Sequence, residues 1–474
     1  MEKQTENLVD KLEAYNESDY YPFHMPGSKR NGDVTRARLP YEIDITEIEG
    51  FDDLHHARGI LKEAQQRAAK IYHAKETFFL VNGSTVGILS AILGCTTRGS
   101  KVIVARNCHK SVYHAIFLNG LIPVYVYPEF YEQMELNGQV TVSSVSEALA
   151  NNPEAKAVII TSPTYDGVVS DIRRIAEAAH QSNVPLIVDE AHGAHFGFDS
   201  YFPDNANTYG ADVVIHSLHK TLPALTQTAL LHLNGELADN RSICAYLDML
   251  QTSSPSYILM ASIEVCLRTL EQRGGSLFSD YVKLLEETRK RLAQLKYFKL
   301  LEMDPDQYDR SKIVISVKGT GMTGKELYYI LLEKYHLQME MAAGSYVLAM
   351  TSIGDTQEGM NRLVQALVEI ETAAKEKSHE LREGLSFELP KLERVYSSAE
   401  IKESKEEIIA VLWTDASGFI SVEYAYLYPP GIPLIVPGER ISLKAAEMLE
   451  KYNRMGFSIE GLEQEGSIRV IKEK

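Results

Sequence analysis

The sequence lacks the features of a secreted or membrane-spanning protein. No apolar run approaches the ~18 residues of a membrane span, and the charged first twenty residues do not resemble a secretory signal. Only four cysteines occur, with no C-x-x-C pair, which argues against a disulfide framework and a cysteine zinc site. We therefore expect a cytoplasmic protein that does not enter a membrane. The cysteines are Cys95, Cys108, Cys244 and Cys266.

Basic residues are scarce relative to acidic ones. The 474 residues include 48 Lys and Arg against 65 Asp and Glu, which gives a formal net charge of −17. Because so acidic a surface repels a phosphate backbone, the composition argues against general nucleic-acid binding. The chain is also too long for one ordinary hydrophobic core, so we expect several domains.

Short apolar runs alternate with segments of helical periodicity from about residue 47 onward. This alternation is typical of a mostly parallel sheet with helices on both faces, and it predicts an α/β fold. Such sheets bind ligands at the carboxyl ends of their strands, so the residues after each run are candidates for a functional site. The runs span residues 78–81, 102–105, 157–161, 185–188 and 213–215.

The pattern divides the chain into four parts. Residues 1–46 have turn-forming residues and weak periodicity, which indicates an irregular N-terminal arm. We expect a large domain at 47–255, connecting helices and a small α/β domain at 256–375, and a C-terminal domain at 376–474. The region 256–375 is predicted to contain a helical stretch at 256–296, strands at 312–317 and 346–350, and helices at 325–335 and 357–375.

Two short motifs suggest a nucleotide-binding protein. Residues 189–192 spell the DEAH string of helicases, and residues 319–325 nearly spell a phosphate-binding P-loop. However, Glu326 stands where a P-loop has a Ser or Thr for magnesium, and a carboxylate there would repel phosphate. We therefore expect neither motif to serve an ATPase.

Two histidine pairs have the spacing of metal ligands. They are His192 with His195, and His216 with His219. A zinc site needs three or four convergent ligands, and neither pair brings an obvious third. We therefore expect hydrogen-bonded histidines and no metal site.

Lys220 and Asp189 each follow an apolar run. A lysine just beyond a buried strand can be desolvated and neutral, as attack on an aldehyde requires, although a lysine taken alone is more often on the surface. A buried carboxylate at a strand end needs a cationic partner, unless it is only a helix N-cap. Pyridoxal 5′-phosphate (PLP) offers both an aldehyde and a ring nitrogen that is held protonated by an acid. These two positions predict a PLP site with the cofactor held on Lys220.

The segment Asn-Gly-Ser-Thr at 82–85 predicts a phosphate cup. It lies between an apolar run and a helical pattern, so Ser84 and Thr85 are placed at a helix N-terminus, where amides and the helix dipole favour an anion. Ser or Thr at this position can also be a plain helix cap.

Three further residues complete the predicted site. Ser217 and His219 flank the lysine and could both reach the phosphate. His109 follows the run 102–105, and its imidazole could stack on the cofactor ring, although a lone histidine is more often structural.

At these motifs the chain resembles the fold type I, PLP-dependent ornithine/lysine/arginine decarboxylases, in particular the short bacterial form without an N-terminal wing domain. The resemblance implies an aspartate-aminotransferase-like large domain, a small α/β domain and a C-terminal α+β domain. The matching stretches are FHMPG at 23–27, NGST at 82–85, TSPTYDG at 161–167, VDEAH at 188–192, SLHK at 217–220 and PPGIP at 429–433.

The resemblance implies a role for each candidate residue. Lys220 would form the imine with PLP, Asp189 would bind the pyridine nitrogen and His109 would stack on the ring. His192 would face the cofactor's phenolic oxygen or the substrate. The segment 161–167 would line the pocket through Thr164 or Asp166. The phosphate would be held by Ser84, Thr85, Ser217 and His219.

The resemblance further implies the reaction and the assembly. A basic L-amino acid, arginine or lysine ahead of ornithine, would lose its α-carboxylate as carbon dioxide and become an amine, as in polyamine biosynthesis. His109 or Lys220 would return a proton to the carbon. The family's active sites lie at a dimer interface, so the arm and residues 429–439 could act on a neighbouring subunit of a homodimer or larger homo-oligomer.

Ser28 departs from the family pattern, which has histidine after Pro-Gly. The loss of that histidine would affect the substrate side of the site, so two alternatives stay open. One is a PLP-dependent aminotransferase or lyase for another amino acid, and the other is a PLP-binding protein with a decayed substrate site. The candidates for binding the substrate's distal cation, by charge alone, are Asp166, Glu340 and Asp355.

Overall fold

The computed structural model describes residues 7–18, 26, 39–374, 388–427 and 431–472. Ser28, Pro429 and most of the charged segment 374–383, for which the sequence indicates a linker or an exposed helix end, lie outside these residues. Three larger β-sheets, of seven, four and five strands, follow one another along the described chain. The first of them, the central sheet, positions the candidate site.

Helices and strands alternate through the first part of the chain, as the sequence predicts, and every predicted apolar run overlaps a strand. The elements are α1 (Leu8–Glu17), α2 (Ile60–Ile71), β1 (Glu76–Leu80), α3 (Gly83–Cys95), β2 (Lys101–Ala105), α4 (Lys110–Leu118), β3 (Ile122–Val126), β4 (Phe130–Tyr131), β5 (Leu136–Asn137), α5 (Val142–Asn151), β6 (Val158–Thr161), α6 (Ile172–Gln181), β7 (Leu186–Asp189), β8 (Val213–Ser217), α7 (Leu218–Thr221), β9 (Ala229–Leu233) and α8 (Asn240–Leu250).

The central sheet has the strand order β1-β9-β8-β7-β6-β2-β3. The strands from β8 to β3 in this order run parallel, which confirms the α/β prediction. β9 is antiparallel to both β8 and β1, so the sheet is mostly but not wholly parallel, as predicted. Because β9 lies antiparallel between them, β1 and β8 point the same way. The carboxyl end of β1 therefore lies at the same edge as those of the parallel strands.

Alternate residues of the strands face two separate hydrophobic cores. On β2, Val102 and Val104 pack into a core that includes residues of α3, α4 and α8. Ile103 and Ala105 point to the other face and pack with residues of α5 and α6. Since successive side chains of a strand point to opposite faces, helices on both sides leave β2 almost wholly buried and apolar.

The N-terminal arm is partly helical, which corrects the prediction of an irregular segment. Asn7 caps α1 by accepting a hydrogen bond from the N–H of Asp10 at 2.9 Å. Leu8 and Leu12, one turn apart, are both buried on one face of the helix. The N–H of Leu8 also donates to the carboxylate of Glu264 at 2.7 Å, so packing against distant residues stabilises this short helix.

The remaining elements agree with the sequence where it made a prediction: α9, β11, α10, β13 and α11 each lie within a few residues of their expected bounds. The elements are α9 (Tyr257–Leu292), β10 (Lys299–Leu300), β11 (Lys312–Ser316), α10 (Gly324–Tyr335), β12 (Met341–Ala342), β13 (Tyr346–Met350), α11 (Gln357–Ala374), β14 (Glu393–Arg394), α12 (Ser398–Glu403), β15 (Ile408–Leu412), β16 (Ile420–Ser421), β17 (Ala425–Leu427), β18 (Ile432–Ile435), β19 (Glu439–Arg440), α13 (Leu443–Arg454), β20 (Ile459–Glu460) and β21 (Ser467–Ile471).

The second and third sheets form a small α/β unit and a C-terminal α+β unit. The four-stranded sheet has the order β10-β11-β13-β12, and the five-stranded sheet has the order β14-β19-β16-β21-β15. A three-stranded sheet, β18-β17-β20, completes the C-terminal unit. The domain boundaries at 46, 255 and 375 stay a prediction. Within the described ranges, no helix is both long and apolar enough to cross a membrane.

The P-loop-like segment is the start of an ordinary capped helix. The hydroxyl of Thr323 accepts a hydrogen bond from the N–H of Glu326 at 3.1 Å, and the carboxylate of Glu326 accepts from the N–H of Thr323 at 2.7 Å. This reciprocal capping box explains the acidic residue at a position where a P-loop has a hydroxyl.

Candidate active site

A cavity of about 460 Å³ lies at the carboxyl edge of the central sheet. The segments that follow β1, β2, β6, β7 and β8 all contribute to its wall, as expected for ligand binding by a parallel sheet. The small and C-terminal units supply the rest. The lining residues are Ser84, Ile88, Asn107, His109, Thr161, Tyr165, Asp189, Ala191, His192, His219, Lys220, Glu340, Met350 and Ile432.

Lys220 lies in the short helix α7, directly after β8. Its Nζ is 3.0 Å from Nε2 of His192. Burial lowers the pKa of Lys220, while the carboxylates of Asp189 and Glu340 oppose this shift by stabilising the ammonium. The lowered pKa favours the neutral amine, which is the form that attacks an aldehyde.

Asp189 is the last residue of β7 and is only 4% exposed. One carboxylate oxygen, Oδ1, accepts a hydrogen bond from the N–H of Ala191 at 3.2 Å, in a turn rather than at the start of a helix. Burial raises the pKa of Asp189, and the positive charge of Lys220 opposes this shift. A cationic ring nitrogen in the cavity would keep the carboxylate ionised, because a buried anion needs a positive partner.

The N-terminus of α3 is open toward an anion. Oδ1 of Asn82 accepts a hydrogen bond from the N–H of Thr252 at 3.1 Å instead of capping α3. Gly83 enters the helix at φ +73°, a conformation that glycine adopts readily. Ser84 lines the cavity, and Thr85 is exposed in the same turn. The first-turn amides and the helix dipole therefore favour a phosphate here.

Ser217 and His219 flank the lysine. Ser217 is fully buried, and its hydroxyl has no hydrogen-bond partner among the described residues. Nδ1 of His219 lies 2.9 Å from the carbonyl oxygen of Thr228 and must donate to it, which leaves Nε2 for a ligand. Burial lowers the pKa of His219, and a bound phosphate would favour its protonated form.

His109 lines the cavity as a neutral ring. Its Nδ1 accepts a hydrogen bond from the N–H of Ser111 at 3.3 Å, so the proton lies on Nε2. Burial, followed by the positive charge of Lys220, lowers the pKa of His109 to about 4. A flat imidazole that stays uncharged at neutral pH is suited to stack on an aromatic ring.

His192 connects the lysine to the small unit. It is buried, and burial followed by the charge of Lys220 lowers its pKa well below the ordinary value. The rings of His192 and Tyr165 have centroids 4.7 Å apart and planes inclined by 56°. The hydroxyl of Tyr165 donates a hydrogen bond to Glu340. A continuous row of side chains thus runs along one wall of the cavity.

The expectation that Thr164 or Asp166 lines the cavity is wrong. The hydroxyl of Thr164 accepts a hydrogen bond from the N–H of Val168 at 3.0 Å, which stabilises the turn. Oδ1 of Asp166 accepts from the hydroxyl of Tyr346 at 2.7 Å, which links the turn to the small unit. Tyr165, between them, faces the cavity instead.

Asn107 and Thr161 were not singled out in the sequence, although both lie in segments that were. Each lines the cavity and has a buried side-chain oxygen, Oδ1 or Oγ1, without a partner in the described part of the chain. A polar residue directly after a buried strand is the signal that would have found them.

Arg106 joins the C-terminal unit to the cavity wall. It is fully buried and lies 3.1 Å from the carboxylate of Glu439, and it donates to the carbonyl oxygen of Pro433 at 2.6 Å. These contacts hold β18 beside the end of β2, so that Ile432 lines the cavity of its own chain. Any action of this loop on a neighbouring subunit stays a prediction.

The histidines with metal-ligand spacing are hydrogen-bonded, as expected. Nε2 of His195 lies 3.0 Å from Oδ1 of Asp309. Nε2 of His216 lies 2.7 Å from the carboxylate of Glu190, and its Nδ1 lies 2.9 Å from the ring of His232.

The cavity fits PLP. Lys220 supplies a desolvated amine, Asp189 a buried carboxylate and His109 a flat neutral ring. The open end of α3 fits a phosphate group. The hydroxyl of Ser217, which flanks the lysine but is not among the lining residues, has no partner in the described residues, and buried polar atoms usually have one, whether protein, water or ligand. The fold and the site together define the class of fold type I enzymes that use PLP.

Comparisons with known proteins agree with this class and narrow it. Residues 7–359 match the family model described as Orn/Lys/Arg decarboxylase, major domain, and residues 379–465 match the corresponding C-terminal domain. The chain is 34% identical to the arginine decarboxylase of Bacillus subtilis (strain 168) over 473 residues, which covers 95% of each chain.

The fold is similar to that of solved enzymes. The constitutive lysine decarboxylase of Escherichia coli superposes with a TM-score of 0.82 at 20% identity, over 98% of this chain and 82% of that chain. The serine palmitoyltransferase of Sphingomonas wittichii superposes with a TM-score of 0.54 at 15% identity, over 68% of this chain and 79% of that chain. The chain belongs to the Orn/Lys/Arg decarboxylase family and is an amino-acid decarboxylase acting on a basic amino acid.

Proposed function

We propose that the chain decarboxylates L-arginine to carbon dioxide and the corresponding amine with PLP bound in the cavity at the edge of the central sheet. The observation that carries this proposal is the convergence of Lys220, Asp189 and the open N-terminus of α3 on one cavity. Arginine is favoured over lysine and ornithine because the Bacillus subtilis protein that is 34% identical to this chain, over 95% of its length, is an arginine decarboxylase.

When bound, PLP supplies a ring that accepts the electron pair left behind by the departing carboxylate. The chain's own residues prepare the site for that chemistry. Asp189 would hold a proton at the ring nitrogen, and His109 would lie against the ring as a neutral imidazole. The phosphate would be held, and the ring thereby oriented, by Ser84, Thr85, Ser217 and His219.

Protonation of the substrate carbon completes the reaction, with Lys220 as the proposed donor and His192 as the residue that positions it. Nζ of Lys220 would hold the cofactor through its aldehyde and would be the group placed to donate a proton to the substrate's α-carbon. His192 lies 3.0 Å away, and its buried, neutral ring can hold the amine in place by accepting its hydrogen bond. Met350 and Ile432 contribute apolar wall that limits the access of water.

The test is the release of carbon dioxide and amine by the purified protein, loaded with PLP and given arginine, lysine and ornithine separately. We expect stoichiometric release from arginine and much slower release from the other two. A fast reaction with lysine instead would correct the substrate. Amino-group transfer to an added keto acid without carbon dioxide would replace the decarboxylase by an aminotransferase.

We also propose that the chain forms a homodimer or larger homo-oligomer, works in the cytoplasm and serves polyamine biosynthesis. The family resemblance supports the assembly and the pathway, and the four unpaired cysteines support a reducing compartment. Sedimentation equilibrium of the PLP-loaded protein measures the assembly. A monomer at micromolar concentration contradicts that part of the proposal.

A further inference from the structure

The strand β15 forms one edge of the five-stranded sheet in the C-terminal unit, and its outward-facing residues are apolar. Ile409 and Val411 pack against the core of the unit. Since successive side chains of a strand point to opposite faces, Ile408, Ala410 and Leu412 lie together on the other face, and we call them the edge residues. All three are exposed, Ile408 by 51% and Leu412 by 60%. Among the residues that the structure describes, β15 pairs with β21 alone.

The backbone groups of the edge residues point to the open side of the strand. The N–H of Lys472 donates to the carbonyl oxygen of Glu407 at 2.9 Å, and the N–H of Trp413 donates to the carbonyl oxygen of Gly466 at 3.2 Å. The odd-numbered residues of β15 therefore face β21, with which the strand pairs antiparallel. Because the hydrogen-bonding groups of a strand alternate in direction, the N–H and C=O groups of the edge residues face away from β21.

An edge of this kind is a surface for pairing with another strand. Proteins commonly protect edge strands with charged residues, proline or a bulge. The sequence of β15, IIAVL, contains no charged residue and no proline, and its register with β21 runs without a bulge over five residues. A further strand can therefore add to this edge through main-chain hydrogen bonds, and the apolar side chains on the same residues would gain from being covered.

The strand is complementary to a second copy of itself in the antiparallel direction. A two-fold axis at Ala410 places Ile408 of one copy opposite Leu412 of the other, and the edge residues of both copies then form one apolar stripe. The small side chain of Ala410 allows close approach at the axis. The exposed Lys405, which precedes the strand in one copy, stands at the end where the exposed Asp415 follows it in the other. Parallel pairing would instead bring like charges together.

We infer that β15 pairs antiparallel with β15 of a second copy of this chain about a two-fold axis at Ala410. Each opposed pair of edge residues then exchanges two backbone hydrogen bonds, and two five-stranded sheets become one continuous sheet. The pairing needs neither PLP nor substrate, so it goes beyond the proposed function and adds a defined contact to the proposed assembly. An interface of one short strand from each copy is small, and the association should therefore depend on protein concentration.

The test is sedimentation velocity of the PLP-loaded full-length protein over a wide range of concentration. Leu412→Lys places a charge in the apolar stripe and is expected to raise the dissociation constant of the largest assembly by about 10-fold or more. The matched control is Leu443→Lys, which makes the same change at a residue of α13 in the same unit that is 61% exposed. We expect the control to associate like the wild type. Circular dichroism checks that both variants are folded.

An exchange of charges tests the antiparallel direction. Asp415→Lys is expected to weaken the association by about 2- to 10-fold, because it brings lysines together at both ends of the paired strands. Adding Lys405→Asp to the same chain is expected to restore the association, because each end again carries one charge of each sign. Copies that pair in the parallel direction would not be restored by the double substitution, and that result overturns the inference.

A wild type that has the same mass as Leu412→Lys at every concentration overturns the inference, and so does an equal loss of association in Leu443→Lys. If Leu412→Lys does not fold, Ala410→Pro decides in the same way, because it removes an N–H on the open side and leaves the bonds to β21 in place. Hydrogen exchange of the edge residues should slow as the wild-type concentration rises. Protection that is independent of concentration would mean that a segment of the same chain covers β15, which also contradicts the pairing. A homodimer that Leu412→Lys leaves intact would support the assembly proposed above and reject this pairing.

Discussion

The amine of Lys220 and the ring of His192 lie within hydrogen-bond distance, with 3.0 Å between Nζ and Nε2. Burial lowers the pKa of both groups, which disfavours their charged forms. The contact therefore fixes the direction of the amine in the cavity. This is the arrangement that covalent capture of an aldehyde requires.

Lys220→Ala is expected to abolish both the visible absorbance of covalently bound PLP and the release of carbon dioxide. Lys283→Ala, an exposed lysine on α9, should leave both unchanged. An unaltered spectrum in Lys220→Ala would mean that a different lysine holds the cofactor.

Asp189→Asn should lower kcat by ~100-fold or more, because the uncharged amide no longer stabilises a protonated ring nitrogen. The protein should still bind PLP, since the phosphate contacts are unchanged. Asp204→Asn, on an exposed loop, serves as the control. Near-normal turnover in Asp189→Asn removes this residue from the mechanism.

Ser217→Ala should weaken PLP binding by roughly 10-fold while kcat at saturating PLP changes little, as expected for the loss of one hydrogen bond to a charged group. The control is Ser90→Ala, which removes another buried hydroxyl without a partner in the described residues, from the interior of α3 and not from the residues that flank Lys220. Equal effects of the two substitutions on the dissociation constant of PLP would contradict the role of Ser217.

Asp166 should make the protein less stable as pH rises. Burial raises the pKa of Asp166 from 3.8 to about 6. The folded state therefore keeps a proton that the unfolded state has already lost, and the free energy of unfolding falls between pH 4 and pH 6. Relative to Asp166→Asn, the wild type should lose on the order of 3 kcal/mol across this range. Urea unfolding of both proteins at several pH values measures the difference, and parallel curves would contradict the shift.

Arg106→Met should destabilise the protein by about 3–5 kcal/mol, because it leaves the buried carboxylate of Glu439 without its cation. The double substitution with Glu439→Met should be less harmful than the single one. Lys444→Met, which breaks an exposed pair with Glu388, should cost less than about 1 kcal/mol. Equilibrium unfolding in urea compares the variants, and a small effect of Arg106→Met would show that water replaces the partner.

Five of the seven strands of the central sheet, all except β3 and β9, were predicted because their signal is local. β2 and β7 are short apolar runs buried on both faces, and such runs are recognisable without knowledge of their neighbours. The residues of β1 alone do not indicate its direction relative to its neighbour. That direction follows from its antiparallel pairing with β9, which lies more than a hundred residues later in the chain. Helix α1 escaped prediction for a similar reason, because contacts with distant residues stabilise it.

The site was predictable where each residue follows its own strand. Lys220, Asp189 and His109 stand at strand ends, and the parallel sheet brings those ends together. The pairing of Tyr165 with Glu340 joins residues 175 positions apart and two structural units, so no spacing in the sequence indicates it. The same holds for Arg106 and Glu439, 333 positions apart.

The buried link from Arg106 to Glu439 has a consequence for attempts to shorten the protein. A chain cut between α11 and β14 would retain every residue proposed to hold PLP. It would nevertheless lose Ile432 from the cavity wall and leave a guanidinium buried with no counter-charge. The C-terminal unit therefore cannot be removed without disturbing the cavity. A truncated catalytic fragment should misfold or expose its cofactor to solvent, whereas supplying the missing unit as a separate polypeptide should restore the pocket.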